Sequence, residues 1–206
     1  MKRIYFVSNN LMSSLNVVYP QEISFYEIRE KTMLSKRGDL SALKLLKMKD
    51  LESVERIYSS SYTSALMTSK YIAEDKNLNV FVDERLNERI VGDLGSNEYR
   101  FLKGMQEHDF NYKLNHGESI KDVHKRMTSF LKMLLERQEK SILVFTHNIA
   151  LMSLCLSWCP KDYNAEDRLV LASDDEVLFD GFFHDLDLIE VCYDDSQKLK
   201  SIHRIL

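Results

Sequence analysis

Side chains that could do chemistry follow three short apolar runs of the chain. His147 comes directly after the run at 142–145, and serines are concentrated at 60–64, after a second run. A third run, at 3–7, leads into Ser-Asn-Asn at 8–10. If these runs are parallel strands of one sheet, their carboxyl ends meet at the edge where such sheets bind ligands. The sequence therefore predicts a polar pocket that contains His147.

The chemistry open to this pocket is acid–base or nucleophilic. A histidine can move protons in catalysis, and a hydroxyl beside it, from Ser8 or Ser64, would give the serine–histidine pair of acyl transfer. The sequence shows no third group that would orient the histidine and no oxyanion hole. The remaining histidines follow no strand at this edge and are expected at surface or half-buried positions: His108, His116, His124, His184 and His203.

Strand patterns and helix patterns alternate along the chain. Short apolar or alternating stretches predict strands at 3–8, 56–59, 79–82, 142–145, 188–193 and 199–205. Apolar residues at helical spacing predict helices at 35–47, 62–74, 119–137 and 149–159. In the first of these helices the apolar spacing runs through Leu40, Leu43 and Leu46. The longest carries one apolar stripe, formed by Val123, Met127, Phe130, Leu131, Leu134 and Leu135.

This alternation predicts the fold class. We expect a three-layer, doubly wound α/β fold, with a mostly parallel sheet, helices on both faces and an antiparallel hairpin at the end of the chain. The strand at 142–145 is apolar on both faces and should be central. Because the 206 residues contain no repeat, low-complexity tract or Pro/Gly-rich linker, a single domain over 1–206 is expected.

Composition excludes several classes of function. With 28 basic and 32 acidic residues, the net charge of −4 gives no attraction to nucleic acid or to an anionic membrane. The apolar run at 4–7 is too short for a signal peptide, and no stretch approaches a membrane span, so a cytoplasmic protein is expected. Cys155, Cys159 and Cys192 should be reduced thiols. A zinc site would need further ligands nearby, so neither a metal nor another cofactor is expected.

Five short motifs resemble those of a known family. Residues 34–42 resemble Leu-Thr-x-x-Gly-x-x-Gln-Ala, and 58–68 resemble Tyr-Ser-Ser-Pro-Leu-x-Arg-Ala-x-x-Thr. Residues 86–92 are similar to Leu-Asn-Glu-Arg-x-x-Gly, and Gly-Glu-Ser at 117–119 and Val-Phe-Thr-His at 144–147 also match. In this order they resemble the histidine phosphatase superfamily, which includes the cofactor-dependent phosphoglycerate mutases. The resemblance covers nearly the whole chain and implies their fold.

The resemblance implies a role for each matching position. In the family a histidine attacks phosphorus, two arginines and a second histidine hold the phosphoryl oxygens, and an acidic residue exchanges a proton. Two of these positions are retained, the second histidine as His147 and the acid as Glu88. A segment at 96–118 is expected to form an insertion over the pocket. Asn148, beside His147, is a candidate ligand-binding residue.

The other family positions are replaced. The nucleophile falls on Asn9, the first arginine on Ser8 and the second on Ser64; the glycine after the nucleophile becomes Asn10. A family asparagine corresponds to Asn16, one residue further along than the pattern. We therefore expect Ser8, Asn10, Asn16 and Ser64 to line the pocket as binding residues.

These replacements predict a catalytically inactive pseudoenzyme that binds a small molecule or a protein partner. An amide nitrogen has no lone pair available for attack, and losing two arginines removes the charge-assisted bonds that hold a phosphate. The alternative is an active phosphomonoester hydrolase (a phosphatase) that uses rearranged groups with His147 and Glu88. In that case displaced cations such as Arg85 or Arg89 would restore positive charge. The sequence leaves the ligand and the oligomeric state open.

Overall fold

The computed structural model describes residues 1–9, 25–93, 99–173, 176–184 and 186–205. Its strands, in chain order, are β1 (Lys2–Ser8), β2 (Arg56–Ser59), β3 (Val80–Val82), β4 (Ser141–Thr146), β5 (Lys161–Tyr163), β6 (Leu169–Ser173), β7 (Glu176–Phe179), β8 (Leu188–Tyr193) and β9 (Leu199–Arg204). Its helices are α1 (Phe25–Lys31), α2 (Lys36–Ala42), α3 (Thr63–Lys76), α4 (Tyr99–His108), α5 (Ile120–Glu136) and α6 (Asn148–Cys155). Short 3₁₀ turns lie at Leu43–Lys47, Lys49–Leu51 and Glu84–Leu86.

A six-stranded sheet forms the centre, in the order β3-β2-β4-β1-β8-β9. The first four strands of this order run parallel to one another, whereas β8 pairs antiparallel with both β1 and β9 and forms with β9 the hairpin at the end of the chain. All six residues of β4 are buried, as expected for a strand that is apolar on both faces. The mostly parallel sheet that the sequence predicted is confirmed.

Helices cover both faces of this sheet. Along β1, Ile4 and Phe6 point to one face and pack with the apolar stripe of α5 and with α6. Tyr5 and Val7 point to the other face and pack with residues of α2 and α3. Side chains alternate between the two faces of a strand, so a strand that is apolar throughout is buried on both sides. The three-layer, doubly wound arrangement is confirmed.

For the helix predicted at 35–47, the prediction of which residues are buried was wrong. The N-cap is Ser35, whose Oγ accepts a hydrogen bond from the Gly38 N–H at 3.0 Å. The α-helix nevertheless ends at Ala42 and continues as a 3₁₀ turn. The proposed stripe Leu40, Leu43 and Leu46 is 61%, 39% and 38% exposed, while Ala42 and Leu45 are buried. The 3₁₀ turn has three residues per turn instead of 3.6, so it rotates the contact face away from the helical spacing.

Other elements were absent from the sequence predictions. A separate antiparallel sheet, in the order β5-β6-β7, occupies 161–179, and helices α1 and α4 were not expected. The predicted helix at 149–159 ends at Cys155. Strands β5, β6 and β7 are three to five residues long. Such short strands carry too few alternating positions for a period-two pattern to stand out.

Helix α4 lies in the segment expected to be an insertion. Lys103 on this helix donates from Nζ to the Gly181 carbonyl at 2.9 Å, and the Glu107 carbonyl accepts from the Tyr163 hydroxyl at 2.8 Å. These bonds join α4 to the small sheet and to the turn after it. The role of 96–118 as a pocket cover, and the extent of a single domain over 1–206, stay predictions.

Burial determines the chemistry of the thiols. Cys155, Cys159 and Cys192 are buried and free of disulfides. Burial raises the pKa of Cys155, and it raises the pKa of Cys159 to about 11, so both stay protonated near neutral pH. They behave as small apolar side chains in the core. Across the described ranges, each helix is too short or too polar to traverse a bilayer.

Candidate functional site

Three strand ends meet where the sequence predicted a pocket. Ser8 at the end of β1 lies opposite Thr146 at the end of β4, and the Asn9 N–H donates to the Thr146 carbonyl at 2.9 Å. From β2, the Ser60 N–H donates to the carbonyl of Phe145 at 3.0 Å. These ladder bonds continue one residue beyond the strands. They place the first side chains after β1, β2 and β4 beside one another.

His147 is hydrogen-bonded to a serine that the sequence analysis did not select. Its Nε2 lies 2.7 Å from Ser60 Oγ, and the tautomer of the ring decides which of the two donates. Ser60 Oγ also accepts from the Tyr62 N–H at 3.3 Å, and the Tyr62 ring lies 4.5 Å from the imidazole, between centroids. The serine–histidine pair therefore exists, but its serine is neither Ser8 nor Ser64.

The imidazole of His147 is neutral near pH 7. Burial lowers its pKa to about 4, because a charged ring loses its hydration there. The charge of Glu88 and hydrogen bonding to the Asn9 backbone act in the opposite direction, while Arg29 and Arg126 add to the lowering. A neutral imidazole can accept a proton, but it offers no positive charge to a phosphate.

Both carboxylate oxygens of Glu88 accept hydrogen bonds from backbone N–H groups. Its Oε1 accepts hydrogen bonds from the N–H groups of Arg89 at 2.8 Å and Ala150 at 3.1 Å, and its Oε2 accepts from the N–H of Ile149 at 3.1 Å. The carboxylate thus caps the first turn of α6, whose unpaired N–H groups and dipole favour an anion. The side chain is buried, with 2% of its surface exposed.

The pKa of Glu88 is lowered in spite of that burial. Burial alone would raise it, but the charge of Arg29, the nearby His147 ring and the hydrogen bonds from the backbone N–H groups of Arg89 and Ile149 outweigh that effect. Glu88 therefore stays ionised near neutral pH. A carboxylate whose proton is lost and whose two oxygens are both bonded is poorly suited to donate a proton.

A cation reaches this pocket from α1. Arg29, half-buried, lowers the pKa values of both Glu88 and His147 through its charge. None of the sequence motifs contains this residue. Its single positive charge is balanced by the single negative charge of Glu88, so these charges sum to about zero.

Of the two arginines that the sequence proposed as replacements, Arg85 has another partner. Arg85 pairs with Asp83, Nη2 to Oδ2 at 2.7 Å. Arg89 is almost fully buried, and its backbone N–H donates to Glu88. A third arginine, Arg126, forks to Glu118 through Nε and Nη2 at 2.8 and 2.9 Å. These contacts tie the guanidinium groups of Arg85 and Arg126 into the scaffold.

Two buried polar atoms at this edge have no hydrogen-bond partner among the described residues. They are the amide nitrogen Nδ2 of Asn9 and the hydroxyl of Ser64, and both side chains are at least 98% buried. Thr68 lies between them: its Oγ1 is 3.2 Å from Asn9 Oδ1 and 2.9 Å from the Ser64 carbonyl oxygen, and its one hydroxyl proton is shared between these two acceptors. Buried polar groups are nearly always paired, so two neighbouring exceptions mark a place where a bound molecule can supply the partners.

Comparison with known proteins decides the family. The model of the histidine phosphatase superfamily (branch 1) matches residues 21–175. The chain belongs to the histidine phosphatase superfamily. No curated protein matches it. The family assignment agrees with the resemblance that the motifs carried.

Solved structures agree in fold. A mycobacterial glucosyl-3-phosphoglycerate phosphatase with inorganic phosphate is 14% identical, with a TM-score of 0.69 over 100% of this chain and 96% of that chain. YhfR from Bacillus stearothermophilus is 20% identical, with a TM-score of 0.67 over 97% and 95%. The α-ribazole phosphatase from Shigella flexneri is 20% identical, with a TM-score of 0.62 over 93% and 91%. At these identities the likeness shows the phosphoglycerate mutase-like fold.

The remaining candidate residues of this superfamily member lie at the same edge or outside the described part. Asn148 Oδ1 accepts from the Phe183 N–H at 3.4 Å, and Ser8 is fully buried, its N–H donating to the Asp187 carbonyl at 2.9 Å. Asn10 and Asn16 lie outside the described residues. The strand ends thus bring together Ser8, Asn9, Ser64, Glu88, His147 and Asn148, whose roles stay predictions.

Three residues of this edge were given no role by sequence reasoning, although Ser60 was among the serines placed there. Ser60 could have been found, because it is the first residue after β2 and that strand is adjacent to β4. Thr68 lies one helical turn after Ser64 on α3, a spacing that places both on one face. No sequence pattern indicated Arg29, since it lies on a short helix outside every motif.

Proposed function

We propose that this superfamily member is a binding protein that has lost the histidine-dependent phosphoryl transfer of its family. In this proposal the strand-end pocket takes a small, uncharged polar molecule with hydrogen-bond acceptors and hydroxyl groups. The observation that carries it is the pair of unpartnered polar atoms, Asn9 Nδ2 and Ser64 Oγ, at the edge where His147 lies. An acceptor such as a carbonyl or hydroxyl oxygen satisfies the amide, and either a donor or an acceptor satisfies the serine.

The electrostatics support a neutral ligand over a phosphate. His147 is uncharged, and the ionised Glu88 balances Arg29. A dianion entering this pocket therefore gains little net attraction. It would also lie near a buried carboxylate, and like charges at short range repel strongly where the dielectric constant is low.

The groups that remain from the family also support loss of catalysis. Asn9 has no nucleophilic atom, because its amide nitrogen is conjugated with the carbonyl. Glu88 has both oxygens bonded to backbone N–H groups. We infer that Glu88 is retained here because it caps α6, and that His147 is retained because it bonds Ser60.

One contact favours a second candidate, a phosphomonoester hydrolase. A serine hydroxyl 2.7 Å from a neutral imidazole is the arrangement of a nucleophile and its base. A phosphatase assay on wild type and on Ser60→Ala separates the two functions. We expect no turnover above background in either protein. Turnover in the wild type that disappears in Ser60→Ala would establish the hydrolase.

Replacing Ser64 with alanine should stabilise the free protein and weaken ligand binding. The change removes a buried hydroxyl without a partner among the described residues, which costs about 1 kcal/mol or more in the folded state. We expect the free energy of unfolding of Ser64→Ala to rise by about 1 kcal/mol. A polar compound that raises the Tm of the wild type, found in a panel of sugars, polyols and amides, should raise that of the variant less.

Ser69→Ala is the matched control. Ser69 lies on the same helix and is equally buried, but its hydroxyl donates to the Leu66 carbonyl at 2.9 Å. Its replacement should cost about 1 kcal/mol, because a hydrogen bond is lost, and should leave the ligand-induced rise in Tm unchanged. If Ser64→Ala destabilises as much as Ser69→Ala and no compound distinguishes the two variants, the binding role of this pocket is wrong.

A further inference from the structure

Three leucines whose spacing suggested a buried stripe form an exposed row instead. Leu40 lies near the end of α2, and Leu43 and Leu46 lie on the 3₁₀ turn that follows it; they are 61%, 39% and 38% exposed. In a 3₁₀ turn side chains three residues apart are aligned, and Leu40 is one turn before Leu43. We call these residues the leucine ridge. Single exposed apolar residues are ordinary, whereas adjacent ones mark an interaction surface.

Lysines run beside the leucine ridge. Lys44 and Lys47 are three residues apart on the same 3₁₀ turn, so they are aligned as the leucines are, one third of a turn away. Lys36 lies one helical turn before Leu40. All three lysines are exposed, and their ammonium groups form no ion pair with any residue that the structure describes. Their charges are therefore available to a partner.

The remaining side of this segment faces the core. Ala42 and Leu45 are almost fully buried and pack in the cluster that includes residues of β1 and α3. Asp39, the one acidic residue in the sequence between 36 and 47, is half-buried and accepts a hydrogen bond from the Tyr71 hydroxyl at 2.7 Å. The outward side of the segment thus presents apolar and positively charged groups together.

This pairing of leucine with lysine favours a lipid surface over other partners. Protein interfaces are depleted in lysine, and leucine is rare among their hot spots. A second copy of the chain would bring like charges together. The phosphate backbone that dominates nucleic-acid binding offers no apolar partner to the leucines. At a membrane interface, by contrast, leucines enter the acyl boundary and lysines reach the headgroups.

The net charge of the chain does not oppose this. The value of −4, from which no attraction to an anionic membrane was expected, is an average over the whole surface. At physiological ionic strength a charge is screened over about 8 Å. Lysines in contact with a bilayer therefore outweigh acidic groups that lie further from it.

From these features we propose that the leucine ridge and its lysines bind the surface of an anionic lipid bilayer. The leucines insert between the headgroups and the acyl chains, and Lys36, Lys44 and Lys47 pair with lipid phosphates. So few inserted residues give a reversible attachment. This surface is independent of the proposed function, because none of its residues lies at the strand ends.

Co-sedimentation of the full chain with vesicles tests the proposal. The probes are vesicles of phosphatidylcholine alone and vesicles in which about a third of the lipid is the anionic phosphatidylglycerol. We expect the sedimented fraction to be about fivefold higher or more with the anionic vesicles. Raising the salt concentration to about 0.5 M should release most of the protein, because salt screens the attraction between lysine and phosphate.

Charge variants locate the contact. Lys36→Glu with Lys47→Glu should weaken binding to the anionic vesicles by about tenfold or more, because both charges are reversed. The control, Lys125→Glu with Lys132→Glu, makes the same change at exposed positions of α5, which covers the opposite face of the sheet. It should leave the binding within about twofold of the wild type.

Leucine variants test insertion. Leu40→Gln with Leu43→Gln should keep the fold, since both side chains are already exposed, and should weaken binding by about tenfold. The control is Phe101→Gln with Met105→Gln on α4, whose residues are 61% and 37% exposed, close to the values of the two leucines. The single lysine of α4 is bonded to a backbone carbonyl, so this control should bind as the wild type does.

Equal sedimentation with both kinds of vesicle refutes the proposal, and so do equal losses in the ridge variants and their controls. Absence of sedimentation up to about 1 mM lipid also refutes it and is the result expected if the leucine ridge serves an acidic protein partner. Ser64→Ala should sediment like the wild type, which separates this surface from the proposed function.

Discussion

Replacing His147 with glutamine should flatten the dependence of stability on pH between about 7 and 5. The unfolded chain takes up a proton on this imidazole below its ordinary pKa of 6.5, whereas the folded protein does so only near a pKa of about 4. The unfolded state therefore binds more protons in this window, and the free energy of unfolding falls as the pH falls. By pH 5 this group alone should remove about 2 kcal/mol from the wild type.

Urea unfolding at pH 7 and pH 5 measures the effect. The wild type should lose about 2 kcal/mol more than His147→Gln between the two pH values, whatever the cost of the substitution at pH 7. Ser69→Ala is the control, because it removes a buried side chain that has no titratable group and should leave the slope unchanged. Glu88 contributes little here, since its ordinary pKa of 4.5 lies below the window.

The result also bears on the proposed function. If the wild type instead loses less stability than His147→Gln as the pH falls from 7 to 5, then the folded protein binds this proton more tightly than the unfolded chain does, and His147 carries charge at neutral pH. A charged imidazole would add a positive charge beyond the balance of Arg29 with Glu88, and the pocket would then favour an anionic ligand. The uncharged ligand proposed for the pocket would then be wrong, and a bound phosphate would be the first candidate to test.

Much of the scaffold could be predicted because it depends on patterns that the sequence carries directly. The apolar run of β4 and the stripe of α5 follow the spacing of a buried strand and of an amphipathic helix. Polar residues directly after three such strands then mark the ligand edge, because parallel strands present their carboxyl ends together. The sequence pattern alone therefore predicts that Asn9 and His147 lie at the same edge of the sheet.

The contacts within the site could not be predicted, because they depend on tertiary geometry. Ser60 rather than Ser8 bonds His147, since Ser60 lies one residue past β2 on the strand adjacent to β4. Sequence spacing does not say which of two neighbouring strand ends points its side chain at the ring. Arg29 acts through its charge from a helix that no motif contains, so its contribution appears only when the fold is assembled.

The sequence also did not indicate that Glu88 caps a helix. The motif Leu-Asn-Glu-Arg implied an acid in a catalytic pocket, whereas the contacts make this carboxylate the N-terminal cap of α6. A side chain can meet both descriptions in an active relative. In this chain the capping contacts, together with the charge of Arg29, account for the lowered pKa of a carboxylate that is buried.

Glu88→Ala should therefore remove a large part of the stability of the protein. Three buried N–H groups lose their acceptor, and hydrogen bonds to a charged group contribute about 1.5–3 kcal/mol each. We expect a loss of roughly 4–6 kcal/mol, against a typical total of about 5–15 kcal/mol. Glu88→Gln should cost less, about 2–3 kcal/mol, because the amide oxygen retains two bonds while its NH₂ group faces the third N–H.

Hydrogen exchange and pH separate capping from a catalytic role. In Glu88→Gln the amides of Ile149 and Ala150 should exchange faster, because the first turn of α6 opens more often.

Since the pKa of Glu88 is lowered in the folded state, its contribution to stability is present at neutral pH and is lost as the pH falls below its ordinary pKa of 4.5. The stability gap between the wild type and Glu88→Gln should narrow there. Glu84→Gln, an exposed neighbour, should change stability by less than about 0.5 kcal/mol. If Glu88→Gln also changes stability by less than about 0.5 kcal/mol, the carboxylate does not cap α6. Its retention in this chain would then favour a catalytic role.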